Sequence, residues 1–215
     1  ATRVFGVYED LLGNEWILSD NGLGMLTAGQ TTPTSYFVDA AEREKKGGQA
    51  FYSCLEYNSE IYFGSDNGRV WCYQKENGQF QLQNLPASSR IVSINSVEGN
   101  ELIFTTAKDG FFSYQPKTKA IEHFPASRFP NASIHSVYVD KASEVWFEQH
   151  IPGTVVHFNP RTRILKQEKV PVEPTSTDRS RPAFHIHEDI NGVLWVHPYG
   201  CLLYTSPSPR DISGS

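Results

Sequence analysis

The chain has 215 residues, enough for one large domain or two small ones. Lys and Arg total 19 against 24 Asp and Glu, a net charge of −5, which argues against a general nucleic-acid binder. Aromatic residues make up 13% and charged residues only 20%, the opposite of a disordered composition, and no run of about 18 apolar residues marks a membrane span. In chain order, one pattern recurs five times. It is first met at Trp16 in Gly13-Asn14-Glu15-Trp16-Ile17, then at Tyr62 in Glu60-Ile61-Tyr62-Phe63. It returns at Ile103, at Trp146 in Glu144-Val145-Trp146-Phe147, and at Trp195 in Val193-Leu194-Trp195-Val196. The spacings between these anchors are 46, 41, 43 and 49 residues. Twelve residues before them stand Val4, Ala50, Ile91, Ile134 and Ala183; six before stand Asp10, Glu56, Val97, Asp140 and Asp189; shortly after come Gly22, Gly68, Gly110, Gly153 and Gly200.

Each unit reads as four short strands. In the third, Ile91 to Val97, Glu101 to Thr105, Gly110 to Tyr114 and Ala120 to Phe124 are rich in β-branched and aromatic residues. In the fourth the strands are Ile134 to Val139, Glu144 to Phe147, Val155 to Phe158 and Ile164 to Gln167. Gly and Pro fall between these runs, where they do not break a ladder. No amphipathic helix is evident. Four antiparallel strands per unit of about 40–50 residues predict an all-β, partial β-propeller. Its blades are about 1–49, 50–90, 91–133 and 134–182, with a truncated one at 183–200, so about four to five are present. The anchors are expected between neighbouring sheets. The acids before them suit turns, whose amides Asp and Asn side chains satisfy, rather than catalysis.

Residues 201–215 stand apart. Cys201-Leu202-Leu203-Tyr204-Thr205-Ser206-Pro207-Ser208-Pro209-Arg210-Asp211 resembles a translated transposon-end sequencing adapter, so this tail is set aside as non-native; a plain Ser/Pro-rich tail is the other reading. The start at Ala1, in mid-pattern and without a leader, predicts a piece of a longer chain whose exposed sheet faces would aggregate if expressed alone.

The stretches Glu9-Asp10-Leu11-Leu12-Gly13-Asn14-Glu15-Trp16-Ile17 and Glu188-Asp189-Ile190-Asn191-Gly192-Val193-Leu194-Trp195-Val196 closely resemble the two-component regulator propeller repeat. The match is partial around Tyr62-Phe63-Gly64-Ser65-Asp66-Asn67-Gly68 and weaker at Ile103 and Trp146. The resemblance implies the periplasmic sensor region of a hybrid two-component histidine kinase, often seven-bladed and dimeric. It implies oligosaccharide ligands from glycan breakdown, and a membrane helix and kinase elsewhere in the parent chain. The residues of phosphotransfer are not in this sequence. No cofactor, nucleic acid or catalytic residue is expected, and the membrane is met only through the missing parent segment.

No Gly-rich phosphate loop, Cys-x-x-Cys pair or Gly-x-Ser-x-Gly elbow is present. His185 and His187 share one face of a strand, but a third metal ligand is not evident. Cys54 and Cys72 fall in the first and third strands of one blade, too far apart for a disulfide, and read as free thiols. Ligand recognition is expected in the loops after the anchor strands, which carry Asp20, Asp66, Lys108, His150, His197 and Tyr199. Turn or solvated roles are the plain alternative for each. The long connections Glu42 to Gly48 and Glu173 to Pro182 differ from unit to unit and could shape specificity. The competing readings are a secreted propeller lyase or glycosidase and a protein-binding scaffold. The scaffold lacks the Gly-His…Trp-Asp signature of such repeats.

Overall fold

A computed structural model describes residues 2–38, 50–130, 133–171 and 176–199. The adapter-like tail, Gly200 and the loop Glu42–Gly48 lie outside the described residues, as do positions 172–175. The described chain is built of strands, with one 3₁₀ turn at Ala126–Arg128. The first sheet holds β1 (Val4–Glu9), β2 (Glu15–Ser19), β3 (Gly22–Leu26) and β4 (Thr34–Tyr36); the second holds β5 (Phe51–Tyr57), β6 (Glu60–Ser65), β7 (Arg69–Gln74) and β8 (Gln79–Asn84). The third holds β9 (Ile91–Val97), β10 (Glu101–Thr106), β11 (Phe111–Gln115) and β12 (Ala120–Phe124); the fourth β13 (Ile134–Val139), β14 (Val145–Gln149), β15 (Thr154–Asn159) and β16 (Ile164–Lys169). The fifth shows two strands, β17 (Phe184–Glu188) and β18 (Leu194–Pro198). Each sheet is an antiparallel meander in sequence order.

A single sheet has two faces to cover, and here each sheet is covered by its neighbour. One apolar cluster fills every interface. Trp16, Leu18 and Leu23 of the first sheet meet Phe51, Ile61, Phe63 and Trp71 of the second. Tyr62 and Val70 meet Leu102, Phe104 and Phe112. Ile103 and Phe111 meet Val145, Phe147 and Phe158, and Trp146 meets Ala183, Phe184 and Ile186. The anchor of each sheet is therefore the side chain that packs on the next one. Trp16 is fully buried, with ring centroids 5.0 Å from Phe63 and 4.9 Å from Tyr73. Burying one such ring contributes about 1.5–3 kcal/mol.

The acids before the anchors hold the first hairpins. Asp10 accepts the backbone N–H groups of Leu12 and Asn14, both at 2.9 Å, and the indole N–H of Trp16 at 2.9 Å. Asp140 repeats this with Ala142, Glu144 and Trp146, and Asp189 with Asn191, Val193 and Trp195. Glu56, in a hairpin without Trp, turns toward the neighbouring first sheet instead. Its Oε2 accepts Leu11 N–H at 2.8 Å and Tyr8 O–H at 3.1 Å from the sheet before, and its other oxygen pairs with Lys75. Glu188 accepts Lys141 N–H at 2.8 Å in the same between-sheet manner. Cys54 and Cys72 are free thiols on β5 and β7, and burial pushes both thiols up to about 12.

Candidate functional site

The first strands β1, β5, β9 and β13 lie side by side, innermost in their sheets. Each of these four begins with a bulge: the register slips between Val4 and Gly6, Phe51 and Ser53, Ile91 and Ser93, and Ile134 and Ser136. Phe5, Tyr52, Val92 and His135 are the extra residues. A bulge re-aims its side chain and ends pairing, and here the extra residues gather at one end of the stack. Phe5 and Tyr52 touch across adjacent sheets, with ring centroids 4.8 Å apart.

The loops after the second strands and the links between sheets meet at that same end. Asp20 N–H bonds the Arg3 carbonyl, Ala107 N–H that of Arg90, and Ile134 N–H that of Ala107. Together they frame an open cavity of about 620 Å³, with Tyr52, Asp66, Arg90, Lys108, His135 and Arg179 on its wall. That volume falls in the range of small-molecule sites.

Fixed contacts shape the wall. Asp109 accepts the N–H groups of Ser88 (3.2 Å) and Ser89 (2.8 Å), pinning the link between the second and third sheets. Burial works against the charge of Asp109, but the hydroxyl and amide of Ser89 and those of Ser88 outweigh it and hold the carboxyl below its ordinary range. The Lys108 amide bonds Ser89 Oγ at 3.0 Å. Arg90 sits over the Tyr52 ring at 5.3 Å. Burial, then the charge of Asp66, pushes the Tyr52 phenol up to about 12, so it stays a neutral hydroxyl. Burial, then His150 and Arg90, lowers the His135 pKa and keeps the ring neutral near pH 7. Its buried Nε2 has no hydrogen-bond partner among the described residues.

Of the six loop residues expected from the sequence, Asp66 and Lys108 are brought together in this cavity. His150 stands beside it, Nδ1 3.2 Å from the Arg181 carbonyl and within electrostatic reach of His135. Asp20 lies at the first sheet, where its carboxylate accepts Arg3 N–H at 2.9 Å. His197 and Tyr199 lie at the fifth sheet, packed around His185 with ring centroids 5.7 and 4.8 Å away. Arg181 covers Tyr199 at 5.3 Å. Tyr52, Arg90, His135 and Arg179 escape a reading based on anchor loops. The signal for Tyr52 and His135 is the bulge position of the innermost strand. The hairpin of the second unit is one residue shorter than the others, which shifts that position from Phe51 to Tyr52 in a simple alignment.

No protein-family model matches the sequence, and no curated protein matches it. Solved structures do. The chain overlays the extracellular domain of BT4673 of B. thetaiotaomicron, described as a one-component system, at 18% identity and a TM-score of 0.63, covering 91% of this chain and 25% of that one. It overlays the extracellular domain of BT3049 of the same organism, described as a hybrid two-component system, at 15% identity and a TM-score of 0.63, covering 91% and 26%. It overlays virginiamycin B lyase from Staphylococcus aureus at 16% identity and a TM-score of 0.68, covering 93% and 71%. The fold is a β-propeller, present in part. The propeller spans about a quarter of each of the two sensor ectodomains it matches. No described helix of the propeller is long and apolar enough to cross a membrane.

Proposed function

We propose that this propeller is the ligand-sensing part of an extracytoplasmic receptor, and that its mouth binds an oligosaccharide released by glycan breakdown. In this reading the chain belongs to the periplasmic ectodomain of an inner-membrane hybrid two-component sensor. The receptor works as a homodimer, and its kinase lies elsewhere in the parent. The observation that carries the reading is the cavity itself. An aromatic ring, Tyr52, faces it beside the planar or polar groups of Arg90, Asp66 and His135. Sugars are held by such combinations, an apolar ring face below and hydrogen-bonding groups around. The likeness to two sensor ectodomains supports the same direction, as does the resemblance of the Trp16 and Trp195 units to sensor repeats.

In mechanism, binding would draw together three successive sheets, since the cavity takes wall residues from the second, third and fourth sheets and from the link that leads to the fifth. A ligand shifts an equilibrium only by its differential affinity for two states. The links that carry Arg90 and Arg179 and the loop that carries Lys108 are the elements it would bias. A second reading, a secreted propeller lyase, is favoured by two histidines at the mouth, His135 and His150, and by the lyase overlay. Incubating the whole protein with a glycan library separates the two. Saturable binding with every sugar recovered intact supports the receptor; a new product peak on chromatography supports the lyase.

A further inference from the structure

We infer that the mouth of the propeller is built for an acidic oligosaccharide, one carrying a carboxylate or sulfate on a sugar ring. This rests on the reading of the mouth as a saccharide site and adds the charge class of its ligand. The chain as a whole is acidic, at −5. Its cavity is the reverse, with Arg90, Lys108 and Arg179 on the wall against the single carboxylate of Asp66. None of those three cations forms an ion pair with a carboxylate among the described residues, although Arg161, Arg163, Arg181 and Lys75 all do.

The nearby acids have partners other than these three cations; Asp20, within electrostatic reach of Tyr52, accepts Arg3 N–H at 2.9 Å. Asp66 interacts with the Tyr52 hydroxyl. Asp109 is held by Ser88 and Ser89 behind the wall. Asp178, next to Arg179 in sequence, pairs with Arg181 at 3.7 Å and accepts Ser180 N–H at 2.9 Å. Three cations, two from links between sheets and one from the loop after β10, thus converge beside the Tyr52 ring on a wall that holds one carboxylate. Arg guanidinium groups match carboxylate and sulfate oxygens in paired hydrogen bonds, and Lys adds a point charge. A neutral sugar would leave this charge unused. Field focusing in an open cleft would also draw an anion in.

The test is calorimetric titration of the whole protein with matched pairs: oligogalacturonate against its carboxyl-reduced form, and a chondroitin sulfate oligosaccharide against its desulfated form. The acidic member of at least one pair should bind about tenfold tighter or more. Its affinity should fall severalfold between 50 and 500 mM salt by screening, a readout that needs no variant. Arg90→Gln, Lys108→Met and Arg179→Gln should each erase most of the difference within the pair while leaving the thermal transition in place. Equal binding of both members, or binding of the neutral one alone, would overturn the inference and leave the saccharide reading standing. Binding of no member of either pair would count against both.

Discussion

Asp10 Oδ2 lies 2.9 Å from the indole Nε1 of Trp16, and the pairing recurs at 2.8 Å between Asp140 and Trp146 and at 3.1 Å between Asp189 and Trp195. The acid is Asp in each repeat whose anchor is Trp. Where the anchor is Tyr62 or Ile103 the same position holds Glu56 or Val97. The acid and the indole are therefore one device: the carboxylate closes the hairpin and satisfies the only polar atom of a ring buried between sheets. Asp10→Ala should leave the indole N–H and two amides unpaired and cost about 2 kcal/mol. Urea denaturation followed by tryptophan emission measures this. Val97→Ala, at the equivalent position without an indole, should not red-shift the emission of any Trp.

The same carboxylate gives acid sensitivity a definite sign. Burial opposes the charge of Asp10, but the indole of Trp16, the Asn14 side chain and the hairpin amides outweigh it, so its pKa lies below the ordinary 3.8. A carboxyl depressed in the folded state adds stability above its unfolded pKa and loses it as the pH falls through the folded one. Asp109 is lowered in the same way. Stability should thus hold down to about pH 4 and fall below it. Asp10→Asn should flatten that fall, as read from the denaturation midpoint across pH 2 to 6.

Gly110 is fixed by its backbone. Its φ is +85°, and a Cβ there would overlap the Phe124 carbonyl oxygen, which belongs to the neighbouring strand. Gly110→Ala should cost about 2 kcal/mol or more, from the left-handed strain and a displaced ladder bond. Gly13→Ala has the same φ class but open space around it, and should cost less. A pair of thermal melts compares them.

The outer sheets carry exposed apolar side chains. Leu11 and Leu12, in the first hairpin turn of the first sheet, are 86% and 70% exposed, and Ile190, in the equivalent turn of the fifth, is 93% exposed. The 215-residue chain by itself should self-associate at micromolar concentration. Sedimentation velocity reads this directly; a stable monomer under those conditions would count against it.

Most of the fold was legible because strand period, turn residues and the anchor spacing all point one way. The four strands read in the third unit match β9 to β12 to within a residue at each end, and Ile134–Val139 is recovered in full. In the fourth unit, the strand from Glu144 to Phe147 is shifted to Val145–Gln149, because Glu144 is spent in the Asp140 hairpin. The placement of Trp16, Tyr62, Ile103 and Trp146 between sheets follows from burial alone. The cavity was only half legible. Asp66 and Lys108 stand in loops a fixed distance after an anchor. Tyr52 and His135 owe their position to a bulge, a local loss of pairing that leaves no mark on hydrophobic periodicity. Arg90 and Arg179 come from links that differ in length, so no repeat alignment brings them together.

The central claim is that this mouth binds a saccharide and releases it unchanged. The most direct measurement is titration of the whole protein with an oligosaccharide panel, with Tyr52→Ala run beside it and every sugar weighed by mass spectrometry afterwards. Saturable binding to at least one sugar, lost about tenfold or more in Tyr52→Ala with all masses intact, is the result expected. Binding that ignores the loss of Tyr52, or a sugar returned with altered mass, would contradict it.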